Sequence, residues 1–331
     1  MSKQAFISTD CASIRITNDV GEDSRHILEA EERDAVNAAL AVNRPLLIWG
    51  EPGIGKSQLA KAVAQELKRV FIPFVADAHT EPRDLLWSLD AVARLAEAQI
   101  QNPHCPDRDA VAVKKFIVPG VLWWALNWQS AKDFVAQQTV GGCQHQPPAY
   151  DASTCDPHNG VVVLIDEIDK ADSSVPNGLL EALGSNRFHP QGLDKAVESG
   201  KVRPLVIITT NRERSLPDAF MRRCLSLHLA FPESEQAQFA FLVKRGKANF
   251  PQLDVTTVLE PAADMLVTDR AYAKANHLHP LPGQAEYFDL LRGVHHLQQH
   301  NPDVAVAEVM AQLQRFTYQK HPDYPRVPYE A

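Results

Sequence analysis

RPLLIWGEPGIGKSQLAKAVAQELKRVFIPFV, residues 44–75, decides the fold of this chain. It opens on a short apolar run, 44–50, that ends in glycine, as a buried parallel strand does. Residues 56–69 then place Leu59, Ala60, Val63, Ala64 and Leu67 at helical spacing on one face. Residues 70–75 form a second apolar run. Strand, glycine-rich turn, helix and strand make one βαβ unit, right-handed by the rule that governs such crossovers.

The turn itself, GEPGIGKS (50–57), meets the template Gly-x4-Gly-Lys-Ser/Thr at every fixed position. Its glycines let the loop curl until successive amide N–H groups face an anion. The helix that follows adds the positive end of its dipole. In such a loop Lys56 reaches the outer phosphates of a nucleotide and the Ser57 hydroxyl ligates Mg2+. Gly50, Glu51, Pro52, Gly53, Ile54, Gly55 and Gln58 complete the expected cradle. The strand before and the amphipathic helix after are the context that separates this loop from a chance glycine turn.

Further along, VVVLI (161–165) is a fully apolar strand that delivers Asp166 and Glu167 at its C-terminal edge, where parallel sheets collect their ligands. Asp166 is expected to hold Mg2+, mainly through its waters, and Glu167 to polarise an attacking water as general base. Asp169 and Asp172 read as helix-start and surface acids. PLVIITTN (204–211) ends in Asn211, whose amide is suited to hold that water, although a strand-ending turn also favours Asn. LPDAFMRRC (216–224) supplies Arg222 and Arg223. From the outer side of a domain they would serve a neighbour's γ-phosphate rather than their own. A surface pair with carboxylate partners is the alternative.

The rest of the chain reads coarsely. Residues 31–42 and 83–99 look helical, and 114–128 reads as strand or helix with three tryptophans. A helix starts near Ser173, Ser174 and Pro176 and is expected to stop at Gly184. Residues 216–224 make a short helix, 225–232 a last strand, and everything after 233 is helical. At 331 residues the chain exceeds what one core usually holds. The expected organisation is an irregular N-terminal extension (1–30), a three-layer α/β domain with a parallel central sheet (31–232) interrupted by an insertion at about 76–160, and a small all-α lid (233–331). Trp123, Trp124 and Trp128 are expected to pack that insertion against its own domain rather than to grip a substrate.

Composition excludes several classes. Hydrophobic residues at 45% and charged residues at 22% exclude wholesale disorder. A formal charge of −8 gives no general attraction to phosphate backbones, so nucleic acid is not the expected partner. The N-terminus has no signal-peptide core and no apolar run reaches spanning length, so the expected location is the cytoplasm without membrane insertion. Five cysteines in so long a chain do not suggest a disulfide framework. Cys143, His145, Cys155 and His158, with His104 and Cys105 upstream, offer zinc ligands. Their spacing is not that of a standard finger, and a loop without metal is the preferred reading. His295 and His296 read as surface or capping residues.

Five segments in this order, ERDAVNAALAVNRPLLIWGEPGIGKS, DEIDKAD, PNGLLEALG, ITTN and LPDAFMRRC, resemble the MoxR branch of the AAA+ ATPases over about residues 31–320. The resemblance implies a P-loop AAA+ core with a helical lid, binding and hydrolysing ATP with Mg2+. It further implies a hexameric ring of this chain with sites at subunit interfaces. Its work would be chaperone-like remodelling or metal insertion beside a partner carrying a von Willebrand A domain. Arg223, with Arg222 beside it, matches the family's trans-acting finger, and Asn211 its first sensor. The chain departs from the pattern at Ala285, where a second-sensor arginine is common, leaving Arg292 as the nearest substitute, and at Arg83, where a small polar residue is commoner. The same site would also serve an assembly switch that recruits an effector with slow or no turnover. A DNA motor is disfavoured by the acidic charge and the lack of a DNA-binding module.

Overall fold

The computed structural model describes residues 6–17, 23–100, 111–138 and 146–324. His104, Cys105, Cys143 and His145 of the candidate zinc group lie outside them. Among the described residues no cluster of three or more His, Cys, Asp or Glu side chains is arranged to hold a metal, and no helix is long and apolar enough to cross a membrane.

In chain order the elements begin with β1 (Ser13–Thr17) and β2 (Asp23–Ile27), an antiparallel hairpin pairing Ile14 with His26 and Ile16 with Ser24. Residues 1–30 were expected to be irregular. The correction has a simple cause: SIRIT alternates, burying Ile14 and Ile16 and leaving Arg15 outside, which is a strand period of two. Next come α1 (Ala30–Val42), β3 (Leu46–Gly50), α2 (Lys56–Glu66) and β4 (Val70–Val75), the βαβ unit read from sequence.

The helix expected over 83–99 is instead three elements, α3 (Pro82–Leu86), β5 (Trp87–Leu89) and α4 (Ala91–Ile100). Helical periodicity lost to a tertiary contact there. Trp87 becomes extended and pairs with Pro119 of β6 (Ile117–Pro119), with Leu89 opposite Ile117. After α5 (Val121–Leu126) and α6 (Trp128–Ala136), the chain reaches β7 (Val161–Asp166), α7 (Ser174–Gly178) and α8 (Leu180–Ser185). The expected stop at Gly184 moves to Asn186, which takes the left-handed conformation (φ 53°). The helix starts where expected, with Ser173 at the N-cap of α7, but its side chain makes no cap bond; Asp172 Oδ1 accepts the Ser174 amide at 2.8 Å instead. The chain continues through β8 (Arg187–Phe188), β9 (Val197–Glu198), β10 (Leu205–Thr210), α9 (Asp218–Met221) and β11 (Leu225–Leu229). Four helices close it: α10 (Glu235–Asn249), α11 (Glu260–Ala275), α12 (Gln284–His300) and α13 (Val306–Thr317).

The central sheet is five-stranded and parallel, in the order β11-β3-β10-β7-β4. With helices on its faces and an all-helical C-terminal part, this is the P-loop AAA+ core with a helical lid. β7 and β10 are buried over nearly their whole length, which is why they read as continuous apolar runs. β4 lies at one end of the order and carries Pro73, a residue that edge strands tolerate because it has no amide to donate.

The residues group into two compact units: Met1–Ala12, Leu28–Trp49 and Ser57–His228 in the first, and Ser13–Ile27, Gly50–Lys56 and Leu229–Ala331 in the second. In the first, α5 and α6 bury Trp123 and Trp124 in the same core as Val163, Ile165 and Ile208. The Trp123 and Phe134 rings lie 4.9 Å apart, and Trp124 meets Trp128 edge-on at 5.1 Å. The tryptophans therefore pack the domain, as expected.

In the second unit the hairpin and the helices form one body. Arg25 donates its amide to Asn249 Oδ1 at 2.7 Å, and Asn249 Nδ2 returns a bond to the Arg25 carbonyl at 3.0 Å. The Asn249 side chain thus imitates a neighbouring strand at β2. Buried tyrosines tie the helices: Tyr287 to the Leu259 carbonyl at 3.0 Å and Tyr318 to that of Ala262 at 3.2 Å. Burial pushes the Tyr318 hydroxyl well above its usual range, so both tyrosines act as neutral donors.

Candidate functional site

The glycine-rich loop between β3 and α2 is curled as its template requires. Gly53 and Gly55 have φ of +77° and +105°, a region that side-chain-bearing residues seldom enter. Lys56 is 7% exposed, and its Nζ donates to the carbonyls of Gly50 (2.8 Å) and Glu51 (3.1 Å). An ammonium folded over its own loop is held ready for an anion that displaces those carbonyls. Pro52 and Gly53 are exposed, Ile54 is buried, and Gln58 is half-buried on the first turn of α2.

Lys56 and Ser57 are consecutive at the start of α2. The Ser57 hydroxyl donates to Asp166 Oδ2 at 2.8 Å. Thr209, from β10, donates its hydroxyl to Asp166 Oδ1 in a short bond and accepts the Glu167 amide at 2.9 Å. A serine oxygen and a carboxylate at hydrogen-bond distance form the oxygen donor set that Mg2+ accepts, with waters and phosphate supplying the remainder.

Glu167 takes the left-handed conformation (φ 57°), which costs a non-glycine residue about 1–3 kcal/mol and is concentrated at working sites. Its carboxylate is held from two sides: Oε2 by Lys170 Nζ at 2.7 Å, and Oε1 by Asn211 Nδ2 at 3.3 Å. The hydrogen bond and charge of Glu167 raise the Lys170 pKa above its ordinary 10.5, so Lys170 is a firm cation. In sequence Glu167 and Asn211 are 44 residues apart; the β10–β7 pairing joins them.

Asp169 corrects an expectation. It is no surface acid but 2% exposed, and it receives the backbone amides of Glu213 (2.9 Å) and, more weakly, Asn211 (3.4 Å). A buried carboxylate thereby fixes the turn that carries Asn211. Arg212, also left-handed, lies 3.2 Å from the Trp49 ring centroid, and Trp49 stacks on His228 at 3.9 Å. The signal in the sequence was weak: one acid in DEID and one arginine after Asn.

Arg222 and Arg223 are exposed, and α9 beneath them is anchored by Phe220, which is fully buried. Arg223 Nη1 bonds the Ala219 carbonyl at 3.1 Å, and the Arg222 carbonyl accepts from Arg44 at 3.4 Å. Among the described residues neither guanidinium enters an ion pair, so the carboxylate-paired alternative is not what the structure shows.

Sequence reasoning missed one residue outright. The Ala285 Cβ would lie 2.9 Å from any Cβ added at Gly53, so Ala285 packs directly on the loop. Arg292 is exposed and paired with Asp289 at 3.1 Å, an ordinary surface pair, and does not substitute for a second sensor. Arg83 is likewise exposed, paired with Glu81. The arginine that does meet the loop is Arg270 of α11, whose Nη2 bonds both carboxylate oxygens of Glu51 at 2.8 and 2.6 Å. Nothing in its sequence context marked it.

The sequence profile of the AAA domain (dynein-related subfamily) matches residues 45–224, more than half of the chain. Among solved structures, a variant of Thermotoga maritima RuvB is similar at 14% identity with a TM-score of 0.46, covering 86% of this chain and 68% of that one. A Cytophaga hutchinsonii protein described as a candidate ATPase is similar at 14% identity with a TM-score of 0.38, covering 88% and 80%. No match was found among curated proteins.

Proposed function

The chain belongs to the dynein-related subfamily of AAA domains, and from that premise we propose that it binds and hydrolyses ATP with Mg2+ as a MoxR-like remodelling ATPase. The observation that carries the reading is the Ser57–Asp166–Thr209 cluster, which joins the end of the glycine-rich loop to the acidic strand end. The curled amides of residues 50–56 and the Lys56 ammonium bind the phosphates. Ser57 and Asp166 hold Mg2+, which when bound neutralises charge on the phosphate oxygens. Glu167 leaves Lys170, accepts a proton from water and so sharpens it as a nucleophile toward the terminal phosphorus. Asn211, on a turn pinned by Asp169, orients that water.

The protein works as a ring, a hexamer in the reading the resemblance supports. The exposed, carboxylate-free Arg223 and Arg222 reach the terminal phosphate of the next subunit, where a guanidinium stabilises charge that builds during transfer. Its partner is a protein with a von Willebrand A domain, and its location is the cytoplasm. The same hardware in a protein of slow turnover would be an assembly switch. Lys170 holding Glu167 favours that second reading, because a restrained base slows hydrolysis.

The test is Glu167→Gln in the full chain, read by ATP binding and by phosphate release. ATP binding near the parental level with release slowed about 100-fold or more supports hydrolysis by this base. Release at the parental rate rejects it. A parental protein that binds ATP in an ATP-dependent ring yet releases no phosphate favours the switch.

A further inference from the structure

We propose that Arg270 of α11 is a positioning residue for the phosphate-binding loop: it binds the carboxylate of Glu51, so that this charge is compensated when a nucleotide arrives, and it fixes the loop on α11. The inference rests on the ATP reading above and deepens it. Arg270 is 1% exposed, although arginine carries a full positive charge, and such burial demands compensation. Its Nη2 is forked onto Glu51 at 2.8 and 2.6 Å, its Nη1 donates to the Pro282 carbonyl at 2.8 Å, and its plane lies 4.4 Å from the Phe231 ring centroid. Its Nε is buried without a hydrogen-bond partner among the described residues, a cost that the other contacts offset.

Glu51 is the second residue of a loop whose task is to receive a polyanion. A carboxylate there repels phosphate, and it is also a ready ion-pair partner for the ammonium of Lys56, only five residues away. Arg270 answers both difficulties. Arg270 engages both Glu51 oxygens, while Lys56 Nζ donates to the backbone carbonyls of Gly50 and Glu51. Ala285, at the expected second-sensor position, has no charge and packs on Gly53. Glu51–Arg270 and Gly53–Ala285 thus clamp the loop at two points, one ionic and one by van der Waals contact.

The experiment compares the full-length parent with Arg270→Ala, Arg270→Met, Glu51→Gln, the Arg270→Met/Glu51→Gln pair and Lys56→Ala, reading equilibrium binding of a fluorescent ATP analogue and steady-state phosphate release. Arg270→Ala should weaken nucleotide binding on the order of tenfold or more, the scale of one uncompensated charge beside a polyphosphate. The Met/Gln pair has no buried charge and is expected to fold even where Arg270→Ala does not. It should recover binding to within about threefold of the parent. A solely structural arginine would leave the pair as weak as the single variant, and that result overturns the proposal. So does parental affinity in a folded Arg270→Ala or Arg270→Met. If the parent itself binds no nucleotide, or Lys56→Ala binds like the parent, the ATP reading falls, which is a different outcome from either.

Discussion

The hydroxyl of Ser57 and the carboxylate of Asp166 share a 2.8 Å hydrogen bond although 109 residues separate them. Two segments that sequence could only associate by precedent are in contact, and the contact uses the two groups assigned to one cation. Thr209 shares the same carboxylate and also holds the Glu167 amide, so a disturbance at Asp166 reaches Glu167 through one side chain.

That coupling predicts a distinctive variant. Ser57→Ala removes one of two oxygen donors but leaves Asp166 tied to Thr209. ATP binding without Mg2+ should be little changed, while the Mg2+ concentration that half-saturates phosphate release should rise about tenfold. A magnesium titration of the variant against the parent checks this. An unshifted midpoint means that Ser57 does not hold the metal.

Lys170 offers a test of restraint on Glu167. Both partners are partly exposed, 43% and 32%, so the pair is worth only about 0.2–1 kcal/mol. Lys170→Ala should therefore raise kcat by about two- to fivefold with KM unchanged, because the carboxylate no longer has to leave an ammonium. A fall of tenfold or more would instead place Lys170 within the chemistry itself.

The exposed arginines predict complementation. Arg223→Ala alone and Glu167→Gln alone should each be nearly inactive, whereas mixed assemblies should regain a measurable fraction of phosphate release. Mixing at several ratios and assaying turnover reads it directly. Absence of recovery at every ratio would mean that each site is completed within one chain.

Cys224 predicts a pH dependence. Burial pushes its thiol from the ordinary 9.0 up to about 12, so the folded state disfavours the thiolate. A raised folded-state value means that the unfolded chain releases its proton first. The Cys224 contribution is therefore intact below pH 9 and lost as pH climbs toward 12. Denaturant melts across that range should lose less stability in Cys224→Ala than in the parent, and alkylation at pH 8 should spare Cys224 until the protein unfolds.

Legibility in the sequence followed the range of the forces involved. The loop and the sheet strands were readable because local chemistry decides them: glycines where φ is positive, uninterrupted apolar runs where both strand faces are covered. Asp166, Glu167 and Asn211 stood out because each follows such a run. Trp87 was misread because its pairing with Pro119 in the two-stranded β5–β6 sheet outweighs the helical period of its neighbours. Asp169 was misread because its partners are backbone amides beyond residue 210, which carry no residue-type signature. Arg270 was invisible for a related reason: a buried arginine looks like any helical arginine until the carboxylate it serves, 219 positions away, is brought beside it.

The hairpin at the start of the chain has a consequence for how the molecule is made. Arg25 finds its mate at Asn249, 224 residues later. On the ribosome, the strands nearest the N-terminus emerge long before the helix that receives them exists. They must wait, unburied, while the entire sheet domain is synthesised. The last third of the chain is thus finished by residues translated well before it, and removing the β1–β2 pair would leave that helical part missing a piece of itself rather than relieved of a tail.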